Sequence, residues 1–145
     1  MKGLVVLACR LAVGGVFIYA SLDKLIHPLA FAEAINHYRI VPYSLLHLCA
    51  HLLPVVELVI GSALVLGIGR RGAALLAGIL TLIFMAAITS ALIRNLDISC
   101  GCFNTDGGHS VGFDLLWRDG ILFLLCLPPL FARDPGFGLE RIFRK

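Results

Sequence analysis

Charge is what this chain has least of. Only 14% of its 145 residues are Asp, Glu, Lys or Arg, while 59% are hydrophobic; a typical soluble domain is about one quarter charged. That shortage excludes an ordinary water-soluble globule and reads as one integral membrane domain over residues 1–145. Basic patches interleaved with aromatics are also missing, and the net charge is only +3, so nucleic acid is excluded as a partner. There is no internal repeat and no low-complexity tract. The five cysteines are an odd count without the spacing of a small disulfide scaffold. Three of them, Cys9, Cys49 and Cys126, lie in apolar stretches, as small buried hydrophobes do.

Long apolar runs are what the chain has in quantity. A bilayer crossing takes roughly 20 helical residues, and four stretches are long enough: residues 4–22, 45–66, 73–93 and 113–131. Polar connections between them are short except the first, residues 23–44, which holds Pro28, Pro42 and the amphipathic run Leu29 to Ile35. That run predicts a short helix lying in the interface. The expected fold is therefore all-α: an integral membrane four-helix bundle with an interfacial helix in its first loop. The first stretch reads as a retained span and not a cleaved signal, because Arg10 interrupts it and Ala20-Ser21-Leu22-Asp23 is a poor cleavage site.

Basic residues predict the orientation. With four spans, the N-terminus, second loop and C-terminus share one side, carrying Lys2, Arg70, Arg71, Arg133, Arg141, Arg144 and Lys145. The opposite side carries Lys24, Arg39 and Arg94. The richer side is expected to be cytoplasmic, in a bacterial inner membrane, leaving the third loop in the periplasm.

That third loop carries Cys100-Gly101-Cys102. Two thiols one residue apart can bind a soft metal or close a small, strained disulfide, and Gly101 supplies the backbone freedom for such a ring. Strained disulfides are the readily reduced ones, so the pair suits exchange better than stapling. The expected compartment is an oxidising one, where such chemistry is sustained. Cys49, at a similar depth, is a further thiol to consider.

Charges inside a span usually face the bundle interior and are paired. Arg10 in the first span and Glu57 in the second are predicted to interact, either as a structural ion pair or with Glu57 as a proton or ligand group. Arg94 ends the third span, and Arg118 lies a little over a turn into the fourth, beside Asp119. A nearby cation favours thiolate, so Arg94 or Arg118 tunes a cysteine or binds an anionic partner; the alternative is snorkelling to head groups or pairing with Asp97 and Asp119. His47 and His51 stand one helical turn apart, a spacing that can chelate a metal. With Cys100 and Cys102 they would make a His2Cys2 set only if the second span met the third loop; otherwise they are interfacial hydrogen-bonding groups.

Several of these features occur together in one known family. They are Arg10, Ala20-Ser21-Leu22-Asp23-Lys24-Leu25, Tyr38, Pro42, Leu53-Pro54-Val55-Val56-Glu57-Leu58, Ile93-Arg94, Cys100-Gly101-Cys102-Phe103 and Arg118. In this combination the chain resembles the MauE family of methylamine-utilisation membrane proteins, within the wider DoxX-like group. Asn104 and Asp119 stand where the family pattern has glycine and asparagine. The resemblance implies a four-helix inner-membrane protein that handles periplasmic disulfides, with a thioredoxin-like protein or a disulfide-rich substrate protein as partner. By fold analogy alone, the architecture is also similar to quinone-coupled disulfide enzymes such as vitamin K epoxide reductase, which use Cys-x-x-Cys where this chain has Cys-x-Cys.

The expectation is a membrane thiol–disulfide oxidoreductase in which Cys100 or Cys102 exchanges and the other resolves, supported by Arg94, Arg118, Arg10 and Glu57. Electrons would pass through a quinone in the bundle or stay with the partner; the residues leave both open. The rival readings are a non-enzymatic maturation scaffold with a fixed Cys100–Cys102 disulfide, a metal-binding protein and, less readily, a transporter.

Overall fold

The structure, a computed structural model, describes residues 2–94 and 113–131. Every regular element among them is an α-helix: α1 (Lys2–Ile26), α2 (Pro28–His37), α3 (Tyr43–Leu66), α4 (Arg70–Ile93) and α5 (Phe113–Phe131). Three of these are long and apolar enough to cross a membrane, namely Gly3–Ile26 within α1, α3 and α4, at 24 residues each. At about 1.5 Å per residue such a helix exceeds the roughly 30 Å hydrocarbon core. The 19 residues of α5 are shorter and carry Asp114, Arg118 and Asp119.

The helix limits follow from local chemistry. Pro28 opens α2 at its first position, where a missing N–H costs nothing. Gly67 and Gly69 close the α3–α4 turn with φ of 75° and 55°, and the N–H groups of Gly67 and Ile68 both donate to the Ala63 carbonyl. Only glycine enters that left-handed backbone without penalty. The expected first span stopped at residue 22, but α1 runs on to Ile26. Asp23-Lys24 reads as a polar stop in sequence, yet the Lys24 side chain turns inward and is buried.

α1 packs antiparallel against α3, and α5 lies against both α1 and α4. The α1–α3 crossing is close because glycine meets glycine. A Cβ on Gly14 would sit 2.8 Å from the Gly61 carbonyl oxygen, and one on Gly61 would sit 2.9 Å from that of Gly14. Small residues permit such approach in lipid, where apolar surface alone gives helices little reason to associate. One core cluster draws Val13 and Phe17 from α1, Ile60 and Leu64 from α3, Ala74 and Ala77 from α4 and Cys126 from α5. A second joins Phe31 and Ala32 of α2 to Leu46 and Ala50 of α3. Thus α2 fills the notch beyond the end of α1, beside the N-terminal half of α3. Large apolar side chains also line the outside: Leu4, Tyr19, Val59, Ile83 and Trp117 are each more than half exposed, as suits a membrane surface.

Candidate functional site

The densest chemistry among the described residues lies where α1, α3, α4 and α5 converge. Lys24 is 1% exposed and Glu57 2%. The Lys24 Nζ donates to both Glu57 carboxylate oxygens, at 2.6 and 2.8 Å. The ammonium also lies 5.0 Å from the centroid of the Phe31 ring and 4.9 Å from that of Phe84. A lysine held between two ring faces gains cation–π attraction that strengthens on desolvation. One side chain thereby ties α1 to α2, α3 and α4.

A second pair adjoins the first. The Arg118 Nη2 donates to Asp119 Oδ1 at 3.0 Å and Nε to the same oxygen at 3.2 Å. Asp119 is buried, while Arg118 is about one third exposed. Lys24, Glu57, Thr81, Phe84, Arg118 and Asp119 all face one cavity of about 30 Å³, room for roughly one or two waters. The arrangement is two neutralised ion pairs around a small cavity with room for water, in an otherwise apolar bundle. It can hold a water and polarise it.

The predicted Arg10–Glu57 interaction is not what forms. Arg10 is buried, but its Nε donates to the Leu64 carbonyl at 2.9 Å and its Nη2 to that of Val65 at 3.3 Å. These carbonyls belong to the last turn of α3, where helix acceptors lack N–H partners and a cation is favoured by the dipole. Glu57 lies two helical turns away and is taken by Lys24 from the other side. Lys24 itself appeared in the sequence only as a loop base. The 3–4 spacing of Phe17, Ser21 and Lys24, all buried, was the signal that it belongs to the packed face of α1.

Arg94 is exposed and donates to the Tyr38 carbonyl at 3.0 Å, tying the end of α4 to the segment after α2. Cys100 and Cys102 lie outside the described residues. Their loop leaves from Arg94 and rejoins at Phe113, the start of α5, so its ends stand at the α2 end of the molecule. His47 and His51 are both exposed, and His51 Nδ1 lies 2.8 Å from the His47 carbonyl oxygen. No group of three or more metal-binding side chains forms among the described residues. Cys9 and Cys126 are buried, and Cys49 is half-buried. Cys49 lies on the wall of a second cavity, about 150 Å³, enclosed by α2, α3, α4 and the 38–41 segment.

Comparison with known proteins puts this geometry in a lineage. The sequence profile described as "Methylamine utilisation protein MauE" matches residues 2–132. A methylamine utilization protein MauE from Paracoccus denitrificans is 32% identical over 128 residues, covering 88% of this chain and 69% of that one. No solved structure matches.

Proposed function

Because the chain belongs to the MauE family, with a match that takes in both the buried Lys24–Glu57 pair and the Cys100-Gly101-Cys102 loop, we propose that it is a membrane thiol–disulfide exchange factor in methylamine-utilisation maturation. In this reading α5 is a fourth span. Its charged residues enter lipid as the Arg118–Asp119 pair, with Asp119 turned inward, which lowers the cost of burying them. The termini are cytoplasmic by the excess of basic residues on that side, and the cysteine pair faces the periplasm.

The exchange is a two-electron step between this chain and a partner's disulfide. The thiolate of one cysteine attacks a partner sulfur, the partner's S–S bond breaks, and a mixed disulfide forms as one partner thiolate leaves. The second cysteine then attacks the mixed disulfide, closing Cys100–Cys102 and releasing the other partner thiolate. The partner gains two electrons and, from solvent, two protons. The same steps run backwards when the partner's reduction potential is the lower one. No quinone is needed for this exchange. The partner's class is a periplasmic thioredoxin-like protein or a disulfide-rich substrate protein. The observation that carries the reading is the sequence of that loop, with the family membership of the chain around it.

The test is a Cys100→Ser, and separately a Cys102→Ser, variant expressed in native membranes. Removing the resolving cysteine is expected to leave a covalent mixed disulfide with the partner, identified by mass spectrometry. A wild-type pair that resists glutathione and captures nothing in either variant overturns the exchange and makes the loop a structural staple.

A further inference from the structure

The 150 Å³ cavity beside Cys49 is unlike the small, charge-lined one around Lys24. Its walls come from α2 through Phe31 and Ile35, from α3 through Cys49 and Leu53, and from α4 through Phe84 and Ile88. Cys49 and Tyr38 are its only lining residues with a polar side-chain atom. Water needs two to four polar partners and does not settle in such a space. Close-packed interiors have few voids of this size, and an apolar one of this volume takes an apolar guest. The cavity is open on one side, and Ile40 and Ile83, which line it, are each more than half exposed. What reaches it is therefore whatever bathes the outer surface of the helices.

Two arginines adjoin the lining residues. Arg94 is anchored to the Tyr38 carbonyl with the rest of its side chain exposed. Arg39 is exposed too and sits between the lining residues Tyr38 and Ile40, in left-handed backbone with φ of 50°. Nonpolar walls with exposed arginines on the adjoining segments match a molecule with a hydrocarbon chain and an anionic head.

We infer that this cavity holds one acyl chain of an anionic phospholipid, with its phosphate on Arg94 and Arg39. The site is independent of the thiol reading. It fastens α2 to α3 and α4 on the face opposite the Lys24 cage, sharing Phe31 and Phe84 with it.

The experiment uses the full chain in phosphatidylcholine vesicles carrying a minority of phosphatidylglycerol with a diazirine on its acyl chain. Photo-adducts are expected to concentrate on residues 49–53 and 83–88, with the phosphatidylglycerol probe outcompeting a phosphatidylcholine probe of the same chain. Arg94→Gln should reduce that preference about fivefold, the share of one basic residue near an anionic head group. Ala87→Phe should remove adducts in the cavity and leave those on outward residues such as Val59 unchanged. Should Ala87→Phe fail to fold, maleimide alkylation of Cys49 in the wild type decides: phosphatidylglycerol should slow it and phosphatidylcholine should not. Adducts spread evenly over the outer surface, equal labelling by both probes, unchanged Cys49 alkylation, or a retained quinone in place of phospholipid overturns the proposal.

Discussion

Lys24 and Glu57 form the tightest polar contact of the bundle, and its worth depends on which partner is removed. A buried pair gains from mutual attraction about what it loses in hydration, whereas one buried charge left alone is costly by about 3–5 kcal/mol. Lys24→Met and Glu57→Gln should each lower unfolding free energy in detergent micelles by about that amount, with Lys24→Met also losing the ammonium's contacts with the Phe31 and Phe84 rings. The double variant Lys24→Met/Glu57→Met should recover most of the loss, measured by denaturant titration of helical signal. A double-variant loss equal to the sum of the two single losses would mean that the two side chains do not interact. A Glu57→Gln protein that folds fully yet loses thiol exchange would instead give the carboxylate a chemical role. Arg10 calls for a different expectation. Its guanidinium binds the Leu64 and Val65 carbonyls, so Arg10→Met should cost about 1.5–3 kcal/mol, the scale of hydrogen bonds from a charged donor. It should leave the Lys24–Glu57 coupling intact in a double-mutant cycle.

Between elements, the α1–α3 crossing sets the register that decides those partners. Gly14→Ala would place a methyl 2.8 Å from the Gly61 carbonyl and 2.7 Å from Val65 Cγ2. Part of that clash is with backbone, which cannot swing away, so a loss of about 1–3 kcal/mol is expected. Gly15→Ala is the control: nothing lies within 4 Å of its Cβ, and it should be neutral or gain up to about 1 kcal/mol from reduced chain freedom. Thermal melts of the two variants check this; equal melts would remove the crossing from the account. The same crossing explains which features could be read in advance. Helix number and approximate limits followed from apolar length, and α2 from Pro28 and its amphipathic run. Helix facing did not, because a span that meets lipid outside and helices inside is apolar all round and carries little amphipathic signature. Without facing, Arg10 and Glu57 looked like partners on depth alone. The glycines that bring residue 61 opposite residue 14, and so Lys24 over Glu57, were legible as small residues but not as a register. The apolar cavity and the Phe31–Lys24–Phe84 stack were invisible for a further reason: each needs side chains from three helices brought together by packing.

At the scale of the whole molecule, everything polar that faces one end belongs to the same neighbourhood. The Lys24 cage, the Arg118–Asp119 pair, the Arg94–Tyr38 tie and both ends of the 95–112 loop lie toward the α2 end. The opposite end has Arg10 closing α3 and the Gly67–Gly69 turn. A membrane protein built this way has one chemically furnished side, and the orientation proposed from the basic residues of the other loops turns that side to the periplasm. An impermeant maleimide added to intact spheroplasts after mild reduction should therefore modify Cys100 and Cys102. Cys9 and Cys126, both buried in the bundle, should react only after the bundle is denatured. Cys49 should react slowly, through the open side of its cavity. Peptide mapping separates the three classes in one experiment. Labelling of Cys100 and Cys102 solely in inverted vesicles would put the pair in the cytosol, a reducing compartment in which a periplasmic exchange partner could never reach it. The helices and the buried ion pairs would survive that result unchanged, since neither depends on which side of the bilayer the loop occupies.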